Sequence, residues 1–218
     1  MNNLMHDELP NMTYTCETVV QLAKDENVVR DMKHGGCTGT FVGIESGSNE
    51  ILRKIKKIQT TDECIQAMRN LQKYGIEAHA FIMIGFPSET EETFKQTMDF
   101  IPKLKPDNVI FSVFTPYPGS DLFYQCQKDG IIDGDFDLSI YNHQSPLNCF
   151  TKNISKERFY ELRKEADKFV DSYNQKAKFR RGLSALRNIG IKATLRKIYS
   201  HYYSKVIAHI RSEEHTSE

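Results

Sequence analysis

No apolar run in this sequence reaches the length of about 20 residues that a membrane-spanning helix needs. The first seven residues lack the charged and apolar regions of a signal peptide, so the expected compartment is the cytoplasm. Cysteine is sparse: Cys16, Cys37, Cys64, Cys126 and Cys149 are odd in number and far apart, so neither a disulfide framework nor a zinc clip is indicated. Net charge is absent too, since 29 basic residues balance 29 acidic ones, and so composition gives no general argument for a nucleic-acid partner. Acidic residues are missing altogether from 172–212, a stretch that holds Lys176, Lys178, Arg180, Arg181, Arg187 and further basic residues.

What is present is a series of short apolar runs separated by helical patterns. The central one is Phe81-Ile-Met-Ile-Gly-Phe-Pro-Ser-Glu-Thr90. Its large apolar residues, ended by glycine, predict a strand buried on both faces of a parallel sheet. Gly85 lets backbone approach a ligand, Pro87 fixes the exit, and Ser88 with Glu91 predicts a capping box for the next helix. A strand that ends in a tight turn before a helix is where α/β proteins place their chemistry.

In chain order, 25–34 reads as a helix, 40–44 as a strand, and 49–57 as a short basic helix. Thr60 with Glu63 opens a longer helix to Tyr74, with Cys64, Met68 and Leu71 on one face. Strands follow at 76–84 and 108–114 with a helix between them, then a helix to Lys128, a loop over 130–153, and charged or basic helices over 155–177 and 187–210. Strand starts recur roughly once per 30-residue βα unit, the spacing of a barrel. The expected fold is therefore α/β: half of a partial TIM-type (β/α)6 barrel with three parallel strands, followed by an α-helical C-terminal extension.

Three strand ends then stand in series: Gly43-Ile-Glu-Ser-Gly-Ser48, Ile84-Gly-Phe-Pro-Ser-Glu-Thr90 and Phe114-Thr-Pro-Tyr-Pro-Gly-Ser120. In order and spacing they resemble the second half of the radical S-adenosylmethionine (SAM) core. The likeness is to the cobalamin-dependent branch that includes the anaerobic magnesium-protoporphyrin monomethyl ester cyclases, and it covers about 27–130. The resemblance implies a SAM site, a four-iron four-sulfur cluster on a C-x3-C-x2-C loop, and cobalamin in an upstream domain. No such cysteine triad occurs in this chain. Its ligands are expected upstream of Met1, and no residue here is assigned a catalytic or metal-ligating role.

Carried over by position, Glu45 and Ser46 match the strand end that meets the ribose and methionyl part of SAM. Met83, Ile84, Gly85, Phe86 and Pro87 match the segment that holds the adenine, and Phe114, Thr115 and Pro116 the end whose backbone reads the adenine edge. A carboxylate suits the first task because it accepts from both hydroxyls of a vicinal diol. The residues taken alone allow plainer roles: Glu45 and Ser48 capping the following helix, and the other two strings as strand exits. Cys37 reads as a buried thiol, and His79 and His143 as ordinary polar residues. Tyr199, Tyr202 and Tyr203 in the basic helix leave open contact with an anionic membrane surface.

The expected organisation is 1–130 barrel half, 131–154 loop, 155–210 helical extension. Residues 211–218 resemble the translation of a sequencing adapter and are set aside. The chain is accordingly expected to be a fragment of a SAM-cleaving enzyme, inactive alone, whose partner is the missing N-terminal half and whose substrate is a small molecule of unknown identity. The alternative is a non-catalytic SAM- or nucleotide-binding module that pairs with another chain.

Overall fold

The computed structural model describes residues 12–132, 145 and 148–189, with backbone alone for 184–189. Four strands form one sheet: β1 (Tyr14–Thr18), β2 (Cys37–Glu45), β3 (Glu77–Ile84) and β4 (Asn108–Val113). They lie in the order β1-β2-β3-β4, and every neighbouring pair is parallel. The crossovers are helical: α1 (Val20–Ala23) and α2 (Glu26–His34), then α3 (Asn49–Lys54) and α4 (Thr61–Lys73), then α5 (Glu91–Leu104). After β4 come α6 (Asp121–Lys128) and α7 (Lys156–Ile189). The α/β class, the parallel sheet and the C-terminal helix are as expected, but the sheet has four strands rather than three. The additional β1 carries the polar string Tyr-Thr-Cys-Glu-Thr and is an edge of the sheet, half covered, so it shows no apolar run.

The chain divides into two compact units, 1–174 and 175–218. In the first, one face of the sheet is fully buried by Val42, Ile44, Ala78, Ala80, Ile82 and Val109. Over it lie Val29 and Met32 of α2, Ala67, Met68 and Leu71 of α4, Ile101 of α5 and Val170 of α7. Each of the larger side chains among them contributes about 1.5–3 kcal/mol on burial, so this layer is the main source of stability.

The opposite face differs from expectation. β3 alternates half-buried and buried residues along its whole length, so it is covered fully on one face only. On the open face Phe41 stacks on His79 at 4.7 Å and on Phe81 at 5.7 Å. Burial pushes the His79 imidazole below its ordinary value and favours the neutral ring.

Helix starts follow local chemistry. Thr60 and Glu63 form the predicted capping box of α4, with Glu63 N donating to Thr60 Oγ1 at 3.3 Å and Thr60 N to Glu63 Oε2 at 2.9 Å. At α5 the predicted Ser88/Glu91 box is replaced by Thr90/Thr93. The reason is that Glu89 N bonds Phe86 O, which keeps Ser88 and Glu89 in the turn and moves the helix start two residues on. The helix α7 runs unbroken through 178–186, where a gap between two helices was expected. A single internal glycine, Gly182, costs about 1 kcal/mol against alanine and does not break a helix by itself. In the second unit, residues 175–189 are helical, and the basic stretch beyond Ile189, tyrosines included, lies outside the described residues.

Candidate functional site

The three singled-out strings fall at the carboxyl ends of β2, β3 and β4, which are adjacent in the sheet. At the β2 exit the register slips between Gly43 and Glu45, and Glu45 adopts a left-handed backbone with φ 67°. Such a conformation costs a non-glycine residue about 1–3 kcal/mol, so neighbours must hold it. Gln59 does so by donating from Nε2 to Gly43 O at 2.8 Å and Ile44 O at 3.1 Å. The Glu45 carboxylate folds back toward Gly43, whose absent Cβ would stand 2.9 Å from Oε1. Lys57 Nζ meets that oxygen at 2.8 Å.

Ser46 faces elsewhere. It is fully buried, its Oγ lies 3.0 Å from Thr97 Oγ1 of α5, and it accepts from Ser48 N. Its hydroxyl therefore braces the turn against the helix layer. Ser48 is the residue before α3, but its side chain makes no cap bond.

At the β3 exit Gly85 has φ 84°, and a Cβ there would lie 2.8 Å from the Phe159 ring of α7. Glycine is thus required twice, by conformation and by space. Phe86 is buried in an aromatic cluster with Phe114 at 5.2 Å, and Met83 packs against it half-buried. Ile84 points to the other side, among Phe94, Val113 and Phe159. Pro87 O accepts Lys152 N at 3.0 Å. A cavity of about 290 Å3 lies beside this turn, lined among others by Ile55, Phe86, Pro87, Leu122 and Lys152.

At the β4 exit Phe114 N bonds Ile84 O at 2.7 Å, continuing the ladder past the strand. Thr115 and Pro116 are buried, and Thr115 Oγ1 accepts Asn148 Nδ2 at 2.7 Å. Phe150 sets its edge against Phe114 at 6.4 Å. The structure thus brings all ten expected residues to one end of the sheet. Of their side chains, only those of Glu45, Met83 and Pro87 are less than fully buried, so the others could meet a ligand chiefly through backbone.

Sequence reasoning passed over the residues that hold these turns. Lys57 and Gln59 stood in a basic stretch, and Asn148 and Lys152 in a featureless loop. Glu89 was hidden in a polar string. Its side chain is fully buried, and Oε2 accepts Gly85 N at 2.5 Å. Burial pushes its carboxyl up to about 8, against a smaller opposing effect of the Gly85 bond.

For a metal the described residues do not fit: no group of three His, Cys, Asp or Glu among them could hold an ion. The fold does bring Cys16 and Cys37 close, across β1 and β2. Burial, and next the neighbouring Cys16, pushes the Cys37 thiol up to about 11. Two thiols are fewer than an iron–sulfur cluster needs.

Residues 3–101 match the family model described as the Radical SAM superfamily. An uncharacterized methyltransferase of Pyrococcus horikoshii is 41% identical over 99 residues, 45% of this chain and 22% of that protein. The anaerobic magnesium-protoporphyrin IX monomethyl ester cyclase of Rubrivivax gelatinosus is 28% identical over 129 residues, 59% of this chain and 23% of that one. Among solved structures, the radical S-adenosylmethionine methyltransferase TsrM of Kitasatospora setae, with cobalamin and a [4Fe-4S] cluster bound, superposes with TM-score 0.52. That match has 19% identity and covers 59% of this chain and 27% of TsrM, a likeness of fold. The chain spans about a quarter of the length of each of these proteins. The family read from the three strand ends is thus the family whose model residues 3–101 of this chain match, the radical SAM superfamily.

Proposed function

We propose that this chain supplies the adenosyl-holding part of the SAM site of a radical SAM enzyme and is inactive by itself. The observation that carries the reading is the placement of Glu45, the Gly85–Pro87 turn and the Phe114–Pro116 exit at one end of three adjacent parallel strands. In α/β barrels that end is where ligands bind. The Glu45 carboxylate, oriented by Lys57, accepts from the two ribose hydroxyls. Backbone at Gly85 and Phe114 meets the adenine, with Met83 against its face. In an intact enzyme of this kind, bound SAM and a reduced cluster with ligands elsewhere would supply the radical chemistry, and the residues here would only hold the adenosyl group. The ligands of the cluster are assigned to sequence outside this chain, as the residues described here do not fit it. Cobalamin is assigned to a separate domain, and the substrate is left open among methylation, methylthiolation and cyclisation.

A second reading has its own support. The open face, with Phe41, Phe81 and Ile110 half-buried, and the outer edge of β1 call for a covering partner, whether the rest of the same protein or another chain. In both cases this chain binds an adenosyl compound.

The test is calorimetry of S-adenosylhomocysteine with the 218-residue chain and with Glu45→Ala. Measurable binding that drops about tenfold or more in the variant is the expected result, the scale of losing a charge-assisted bond. Equal binding in both proteins would remove Glu45 from the site, and no binding to a folded chain would remove the site itself.

A further inference from the structure

The turn that would present backbone to the adenine is built around a buried acid. Glu89 closes it from within: its Oε2 accepts Gly85 N, its own N–H bonds Phe86 O, and its carbonyl accepts Asn153 Nδ2 at 3.3 Å. The second carboxyl oxygen, Oε1, is buried with no hydrogen-bond partner. Several charged groups on the elements around it are engaged elsewhere. Glu91 pairs with Arg158, Lys95 with Asp99, and Lys152 with Asp129, while Gln96 donates to Glu92. What acts on the Glu89 carboxyl is burial and the Gly85 N–H, with no counter-charge. An ionised carboxylate there would be a buried charge satisfied at one oxygen only, a state that proteins avoid by keeping the proton or by opening to water.

We propose that Glu89 is a positioning residue: as the neutral acid it latches the Gly85–Pro87 turn in the shape that receives the adenosyl group, and ionisation releases the latch. This rests on the adenosyl reading above for its ligand, though the latch itself is a property of the fold. Glu89 touches no reacting atom in this scheme. It acts through the Gly85 N–H and the backbone of the turn.

The test uses the full 218-residue chain, Glu89→Gln and Glu89→Met, with S-adenosylhomocysteine as probe. Wild-type affinity is expected to weaken about tenfold between pH 7 and pH 9, as the fraction holding the proton falls by that factor. Glu89→Gln, neutral at every pH, should bind like wild type at pH 7 and keep that affinity at pH 9. Glu89→Met, neutral but unable to accept from Gly85 N, should bind more weakly than either and show no change with pH. A ligand-free readout runs beside these. Because the folded state keeps a proton that the unfolded chain loses above about pH 4.5, wild-type stability relative to Glu89→Gln should fall as pH rises from 5 to 8.

If wild type and Glu89→Gln share one pH profile in both measurements, the latch is overturned. If the stability difference follows pH as stated but neither protein binds the probe at any pH, the latch stands and the adenosyl reading falls.

Discussion

Lys57 Nζ lies 2.8 Å from Glu45 Oε1, and Glu45 is one of three non-glycine residues with positive φ among those described. A side chain fixed by an ion pair on a backbone fixed against its preference is held from both directions. The carboxylate is thereby biased toward the end of β2, as recognition of a ribose diol would require.

Replacing Lys57 by Met is therefore expected to weaken S-adenosylhomocysteine binding by about threefold, since a partly exposed pair of this kind is worth up to about 1 kcal/mol. The loss should shrink in high salt. Calorimetry at two ionic strengths decides it, and an unchanged affinity at low salt would show that Lys57 does not orient Glu45.

Glu45→Gly separates stability from binding. Glycine accepts φ 67° without strain, so the variant should be no less stable than wild type while its affinity for the adenosyl probe is lost. Urea unfolding gives the first quantity and calorimetry the second. A variant that unfolds much more easily would mean that the ion pair, not the backbone, dominates at this position.

Gly85→Ala puts a methyl group into the space held by the Phe159 ring, at a left-handed backbone position. A loss of about 2–4 kcal/mol in urea unfolding is expected from the two effects together. Phe159→Leu in the same chain should recover part of the steric share. Failure of any recovery would place the whole cost in the backbone.

Three thiols should be inert in the native chain. Burial pushes Cys64 up to about 12 and, as the leading cause, Cys37 and Cys126 up to about 11. At pH 8 the thiolate fraction at such sites is on the order of one in a thousand or less, and the thiolate is the reactive form. Brief iodoacetamide treatment followed by mass spectrometry should leave Cys37, Cys64 and Cys126 unmodified until urea is added. Rapid native alkylation at any of them would contradict the buried placement.

How much of this could be read from sequence depended on whether a residue's role was local. β3 and β4 were legible because each holds a run of large apolar residues, 81–84 and 109–111, and the α4 box because Thr60 and Glu63 are three residues apart in a helix start. β1 was not, because Thr15 and Glu17 face outward and leave only Tyr14, Cys16 and Thr18 half-covered. The α5 start was misplaced by two residues because 88–93 offers two overlapping cap patterns, and the choice is made by the Phe86–Glu89 bond. Of the candidate site, the strand ends were visible as strings. The residues that set their shape were not, since Lys57, Asn148 and Phe159 reach them only through the fold, and Glu89 differs from an exposed glutamate only in what surrounds it.

Strand order in the sheet repeats chain order, so each strand hydrogen-bonds only to the strand before it and the strand after it. In such a sheet no later strand has to be threaded between two earlier ones. A break in the polypeptide between two units would sever one crossover and leave every ladder able to form.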